Sequence, residues 1–378
     1  MENIQMINLK KENRVTWVDC LKFIAIFFIF IGHQSGVAGR FYLFAFSFHV
    51  SLFFMISGFF ANKKDIPFTE FIMKNVKRLL IPFVLFTTIV TIFTGLVENE
   101  SLYIILSNTF NNFKGIRNHL TTGGGLWFII CLFWVVIFYE VLRRLLKKVK
   151  FGEYIILLIS FISSILINKF GNVPSLVFNI DSALIYIFYY SLGAILFPII
   201  NKTNSLLKEP QNNNNMVKCI ILKYGVLILF VVSTAITIMQ FFGYSLFSLL
   251  NLGFILNQFI SAIQTLLICI FFIFLSFFLQ NIKLLCDIGK NTLILCCLEC
   301  VINYYYIFVA SVLGLWQNNM AIACMHIFLM LVIAHFTVVK LINTHFPIFC
   351  GKSRNKNVTL EQKNQGWTLI FCCPLFTV

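Results

Sequence analysis

Ten stretches of this chain are each apolar over about 20 residues, the length an α-helix needs to cross the hydrocarbon core of a bilayer. They cover residues 16–36, 41–62, 79–97, 125–142, 153–170, 180–200, 221–241, 253–280, 290–313 and 321–344. A soluble fold of 378 residues could not hide so much apolar surface: 59% of the residues are hydrophobic and 11% are charged, against roughly 25% charged in ordinary soluble domains. A bilayer is a solvent that accepts such a surface, provided each segment pairs its own backbone groups, as a helix does. The expected fold class is therefore all-α, a polytopic transmembrane helix bundle of about ten spans. The eighth stretch is long enough to tilt or break. Two further apolar pieces, 102–113 and 368–378, are too short to span; the first is expected to lie at the interface or to re-enter.

Charge gives the bundle an orientation. The formal net charge is +15, which in a soluble protein would suggest nucleic acid. No stretch outside the apolar segments interleaves bases with aromatics, so nucleic acid is not expected as a partner. Lys and Arg collect instead in cytoplasmic loops of membrane proteins. With ten spans and the N-terminus inside, 25 of the 29 Lys and Arg fall on the inside and only Arg40, Lys114, Arg117 and Lys169 fall outside. One helix more or fewer would invert every later loop and destroy that bias. Both termini are thus expected in the cytoplasm, with a transmembrane domain over 1–345 and a cytoplasmic tail over 346–378. No small-residue cleavage pattern follows the first apolar segment, which is expected to be a retained span. The 12 Cys sit mostly in apolar runs, where Cys behaves as a small hydrophobe. Cys297 and Cys300 form a lone pair with no second ligand pair, and no metal is expected.

Ionisable residues inside spans are costly and are functional candidates by default. The first span holds Asp19, Lys22 and His33. At 100° per residue, Lys22 and His33 lie within about 20° of one another, and Asp19 and His33 within about 40°. A polar stripe is thus expected along one face, with His33 roughly 21 Å beyond Asp19 at 1.5 Å per residue. A simpler reading of its near end is an i,i+3 pair between Asp19 and Lys22 with a snorkelling lysine. The second span adds His49. His33 and His49 are equally far from a turn centred near Phe41, so an antiparallel pair sets them at similar depth. Imidazole suits proton transfer near neutral pH. Asp181 and Glu299 are expected to line a cavity, Glu140 to pair with Arg143 or Arg144, and Ser57-Gly58 to be small packing residues between helices.

The run from Arg14 through Asp19 and Lys22 to Gly32-His33 resembles the opening motif of the acyltransferase 3 family of membrane acyltransferases. Phe48-His49-Val50-Ser51 through Ser57-Gly58 resembles the family's second motif, with Ser51 where Pro is common. Lys77-Arg78-Leu79-Leu80-Ile81-Pro82 is similar to its basic lead-in to the third helix, and Leu126-Trp127-Phe128 to the start of the fourth. Ile288-Gly289-Lys290-Asn291-Thr292-Leu293 resembles its Gly-Lys-Asn-Ser element, and Glu299 stands where the family often has His. Five such matches occur in order over residues 14–299.

The resemblance implies a membrane-bound enzyme that moves an acyl group, usually acetyl from acetyl-CoA, to a hydroxyl of a cell-surface polysaccharide or its lipid-linked precursor. It points to a multi-pass protein of a bacterial plasma membrane. Arg14, Lys22, Lys77 and Arg78 would then meet the phosphates of acyl-CoA at the cytoplasmic mouth. His33 would act as general base on the acceptor hydroxyl or as a transient nucleophile, with His49 or Asp19 orienting or tuning it. The main alternative is a secondary transporter or translocator of a small solute or lipid-linked sugar. It predicts duplicated halves with Gly- or Pro-broken helices in matching positions. A membrane sensor or scaffold is a third reading, and would need no His33 with a basic mouth.

Overall fold

The computed structural model describes residues 15–61, 65–117, 120, 124–171, 173–208, 216–246, 253–315 and 319–350. Among them all regular structure is helical. Eight helices are long and apolar enough to cross a bilayer: Arg40–Gly58, Phe68–Val97, Leu126–Leu145, Gly152–Phe170, Val177–Leu207, Lys223–Phe241, Phe254–Leu279 and Met320–His345. The first and ninth expected spans are shorter apolar helices, α1 (Thr16–Gly32) and the segment ending in Glu299–Val312. The chain is a multi-pass helical membrane protein of about ten spans, as the apolar runs require.

α1 is the centre of the bundle. Fourteen of its seventeen residues are buried, as befits a helix that is apolar on most of its circumference apart from Asp19 and Lys22. Trp17 anchors its first turn. The ring packs edge-on against Phe277 at 5.3 Å and tilts against Phe59 at 5.6 Å, while its Nε1–H donates to Asn201 Oδ1 at 3.2 Å. An indole buried with its N–H paired is the arrangement that costs least. By contrast, the helices Gly152–Phe170 and Lys223–Phe241 bury little of themselves and present Leu158, Ile162, Leu227 and Ile228 outward.

Several expected boundaries shift. α1 ends at Gly32, so His33 is its cap (φ −102°, ψ 3°) rather than a residue inside a span reaching 36; a 3₁₀ turn, Ser35–Ala38, follows. The turn between the first two spans thus precedes Phe41. The second span is two helices, α2 (Arg40–Phe46) and α3 (His49–Gly58), with a break at Ser47–Phe48. A broken backbone at membrane depth has to be re-satisfied by neighbours. Here Thr265 Oγ1 donates to the Ser47 carbonyl at 3.2 Å and Ser47 Oγ to the Phe44 carbonyl at 2.7 Å. The third span is entered through an amphipathic helix, α4 (Phe68–Asn75), and a π-turn, Val76–Leu80, before α5 (Ile81–Val97). The 102–113 piece is a separate helix, α6 (Leu102–Asn112), tied to α5 by Asn112 Nδ2 donating to Thr91 Oγ1 at 2.9 Å. The middle of the bundle is α7 (Leu126–Leu145), α8 (Gly152–Phe170), α9 (Ile180–Lys208), α10 (Met216–Phe241) and α11 (Phe254–Leu279), the last continuous rather than broken. The ninth span is built from α12 (Lys283–Gly289), α13 (Thr292–Cys297) and α14 (Glu299–Val312), kinked at Leu298. The tenth is α15 (Met320–Ala334), a π-turn, and α16 (Lys340–His345).

Helix ends that charge counting assigns to one side do meet. Thr16 reaches Gln280, Gln280 reaches Asn204, Asn343 donates to Asn291 at 2.9 Å, and Arg143 lies 3.7 Å from Asp65. At the other end, Arg40 lies over Phe242 and Asn168 donates to Gln258. The expected partner of Glu140 is both arginines: Arg143 Nε donates to it at 2.8 Å and Arg144 Nε at 2.7 Å, and Arg144 Nη2 also holds the Ile66 carbonyl at 2.7 Å. Lys147 closes this clasp on Asp65 at 2.5 Å, and that hydrogen bond holds the Asp65 carboxyl below its ordinary range. Asp181 is buried and turned to the backbone. Its carboxylate accepts from the backbone N–H groups of Ser175, Leu176 and Ser182 and fixes the start of α9.

Three glycines permit the closest helix contacts. A Cβ on Gly58 of α3 would meet the Tyr190 carbonyl of α9, and one on Gly193 of α9 would meet the Met55 carbonyl of α3. A Cβ on Gly289 would collide with the backbone of Asp19. Small residues that let backbones touch are the usual means of joining helices in lipid, where no hydrophobic effect drives them together. Gly193→Ala and Gly289→Ala are each expected to cost about 1–3 kcal/mol through overpacking. Gly225→Ala, where a Cβ meets nothing within 4 Å, is expected to gain about 0.5–1 kcal/mol. Thermal unfolding of the detergent-solubilised protein ranks the three; an equally tolerated Gly193→Ala would mean the helices do not touch as described.

Candidate functional site

Three interruptions of helix converge at one point: the end of α1 at His33, the break before His49, and the kink before Glu299. His33 Nε2 lies 3.8 Å from Glu299 Oε2. The two groups differ in exposure: the imidazole is 34% exposed and the carboxylate 2%. Glu299 begins α14, and its other oxygen accepts from Asn303 Nδ2 one turn on. Asn303 Oδ1 in turn accepts from Gln34 Nε2 at 3.0 Å, and Gln34 is the residue after His33. One oxygen thus has a hydrogen-bond partner and the other an imidazole 3.8 Å away, and both ends of the chain His33–Glu299–Asn303–Gln34 are neighbours in sequence. Such closure is what makes a buried polar group tolerable.

Two glycines before α7 bring the backbone onto this group. Gly124 has φ +71°, and a Cβ there would stand 3.0 Å from Glu299 Oε2. A Cβ on Gly125 would meet Cys296 Sγ. His119 and residues 121–123 of the same loop lie outside the described residues.

His49 is buried as the first residue of α3. Its Nδ1 lies 2.5 Å from the Ala45 carbonyl. A carbonyl only accepts, so Nδ1 carries the hydrogen and Nε2 keeps its lone pair. A Cβ on Gly32, next to His33, would lie 3.8 Å from His49 Cε1, so both histidines flank the same helix end. His326, by contrast, is tied by both ring nitrogens, to the Tyr306 hydroxyl at 2.7 Å and the Leu315 carbonyl at 3.1 Å.

The basic residues lie at the other end of α1. Asp19 is buried with Lys22 3.9 Å away, and Lys22 Nζ sits 4.7 Å over the Phe60 ring. Phe60 borders a cavity of about 130 Å³ whose other walls include Ser57, Lys74, Asn75, Arg78 and Tyr190. Arg78 therefore faces a cavity, with Lys74 one helical turn before it. Lys77 is exposed and does not line that cavity. Arg14 lies outside the described residues. The group that faces His33 is Glu299 and not Asp19, since Asp19 stands fourteen residues away along α1, roughly 21 Å.

Sequence reasoning did not single out Asn303, Gln34 or Lys74, and took Glu299 as a cavity residue standing where the family often has His. The i,i+4 spacing of Glu299 and Asn303, and of Lys74 and Arg78, was the available signal. The elements around the site have architectural duties. In the Gly-Lys-Asn run, Gly289 seats α12 on α1, Lys290 pairs with Asp287 at 2.5 Å, and Asn291 holds Asn343 of the tenth span. Chemically, His33 beside a buried carboxylate is the pairing that orients an imidazole and favours its protonated form during a reaction.

A family model described as an acyltransferase domain, Acyl_transf_3, matches residues 15–339, most of the chain. No curated protein and no solved structure matches it. The unequal exposure of the two histidines has a direct readout. Diethyl pyrocarbonate is expected to modify His33 ahead of His49, followed by peptide mass spectrometry of the solubilised protein; the reverse order would contradict this arrangement.

Proposed function

Because the chain belongs to the acyltransferase 3 family, a family of membrane acyltransferases, we propose that it moves an acyl group, acetyl in the first instance, from acyl-CoA to a hydroxyl of a cell-surface polysaccharide or its lipid-linked precursor. The observation that carries this reading is the His33–Glu299 pair at one end of a central helix; nearer its other end Lys22 lies over Phe60, a wall of a cavity that Lys74 and Arg78 also line. By the positive-inside rule the basic end faces the cytosol, in keeping with a bacterial plasma membrane.

In this reaction Arg78 and Lys74 hold the phosphates of CoA, for which a guanidinium is the better geometric match. The pantetheine arm carries the thioester inward toward His33. With Nε2 turned to Glu299, His33 Nδ1 takes the proton from the acceptor hydroxyl as its oxygen attacks the thioester carbonyl. The new C–O bond forms, the C–S bond breaks, and the imidazolium returns the proton to the leaving thiolate. Glu299 holds the ring and offsets its transient positive charge. His49, with Nε2 unprotonated, is available to accept a hydrogen bond at the same helix end. Family membership favours transfer chemistry over a translocator, and interrupted helices suit a catalytic pocket as well as a transport path.

The test uses radiolabelled acetyl-CoA and candidate glycans with the reconstituted protein. His33→Ala is expected to lose about 10²- to 10⁴-fold in transfer rate. Glu299→Gln lowers kcat with little change in the KM for acetyl-CoA, whereas Arg78→Ala raises that KM. Full activity in His33→Ala would remove this histidine from the chemistry, and a wild type that moves a solute but transfers no label would overturn the enzyme reading.

A further inference from the structure

Four cations fall on the outer side by the positive-inside rule. Arg40, Lys114 and Lys169 are exposed, whereas Arg117 is half-buried. Its Nη1 donates to the Tyr186 hydroxyl at 3.1 Å, and its guanidinium lies 5.1 Å over the Trp127 ring. Tyr186 stands six residues into α9, roughly 9 Å from its start, and its ring stacks on Phe54 of α3 at 4.6 Å. The arginine therefore reaches into the bundle, where a snorkelling one would reach out toward the headgroups. The backbone is clamped to hold it there. Arg117 N–H donates to Asn179 Oδ1 at 2.9 Å, Asn179 Nδ2 donates to the Gly115 carbonyl at 2.6 Å, and Phe178 N–H donates to the Lys114 carbonyl at 2.6 Å. Phe178 and Asn179 both have positive φ, 62° and 51°, a left-handed backbone that residues other than Gly adopt at a cost.

A charge drawn in from water calls for an opposite charge. Among the described residues no carboxylate lies within ion-pair distance of Arg117. Asp181, at the start of the same α9, is spent on three backbone N–H groups. The indole and the Tyr186 hydroxyl are neutral, and a guanidinium carries more N–H donors than that one bond uses. We infer that Arg117 receives an anionic group of the acyl acceptor, a carboxylate or a phosphate, and so selects an acidic glycan over a neutral one. The inference rests on the acyl-transfer reading above. Position favours the acceptor over the donor, whose phosphates fall to Arg78 and Lys74. Gly124, seven residues after Arg117, stands against Glu299, and Trp127, under the guanidinium, is one helical turn after Gly124. The anion point and the His33–Glu299 pair are thus served by one end of α7. A planar guanidinium pairs a carboxylate or phosphate through two N–H groups at once, which fixes the direction of the bound acceptor as well as its charge.

The test uses the full chain in phosphatidylcholine nanodiscs with radiolabelled acetyl-CoA and three oligosaccharide probes: one bearing glucuronic acid, its carboxyl-reduced neutral counterpart, and that neutral one bearing glycerol phosphate. Wild type is expected to favour a charged probe over the neutral one about 10- to 100-fold in kcat/KM, the range of a charge-assisted hydrogen bond. Whichever charged probe is preferred identifies the anion. Arg117→Gln should bring that ratio toward one through the KM for the charged probe, and Arg117→Lys should keep part of it. Equal use of neutral and charged probes by wild type, or a preference that survives Arg117→Gln, would overturn the inference. So would an Arg117→Gln loss that falls on kcat for every probe alike, the mark of a purely structural arginine. Binding is read separately, by mass spectrometry, as protection of the Arg117 peptide from phenylglyoxal. The charged probes should protect it and the neutral one should not. Such protection in a wild type that transfers no label would refute the acyl-transfer reading and leave the anion site standing. Protection by phosphatidylglycerol in the discs but by neither charged probe would assign Arg117 to a lipid headgroup and overturn the inference, as would no protection at all.

Discussion

A carboxylate inside an apolar bundle needs a partner for each of its oxygens, and much of the arrangement around α1 answers that need for Glu299. Leaving one oxygen bare would cost about 1–3 kcal/mol or more for a charged group. His33 faces one oxygen, Asn303 the other, and Gln34 holds Asn303 in place. His33 and Gln34 sit where α1 ends, and Glu299 itself follows the kink at Leu298. Regular helix would have spent their backbone groups internally and carried the side chains past one another at fixed pitch. The interruptions at Gly32, Ser47–Phe48 and Leu298 are thus what allow three spans to aim polar groups at one point.

The same point depends on how closely the helices approach. Gly289 sets α12 against the backbone of Asp19, and the Gly58–Gly193 contact locks α3 to α9. The first fixes the N-terminal half of α1 relative to the ninth span, and the second fixes the second span relative to the sixth. Residues that read as chemical motifs therefore divide into two kinds. His33, His49, Glu299 and Arg78 present functional groups, whereas Gly58, Gly289 and Asn291 hold the frame that aims them.

The bundle carries two spaces of opposite character. One cavity is small, polar-walled and basic, under Arg78 and Lys74. The other is large and apolar, along α14.

The helical class and the near-alternation of the spans were legible in the sequence, because apolar length and loop charge are dictated by the bilayer itself and need no knowledge of neighbours. His33 and His49 were legible for the same reason: lipid penalises an ionisable group wherever it falls. The partner of His33 was not. Asp19 shares its helix and invites pairing by periodicity, but Lys22 stands beside it, and the carboxylate that reaches His33 comes from a residue 266 positions later. Locally, the i,i+4 spacing to Asn303 marks Glu299 as a polar pair, but nothing local marks it as the partner of His33. Where spans two and nine break was equally hidden, since Ser47–Phe48 and Leu298 carry neither Gly nor Pro. Those breaks are stabilised by contacts such as Thr265 on the Ser47 carbonyl, which exist only once distant helices have packed.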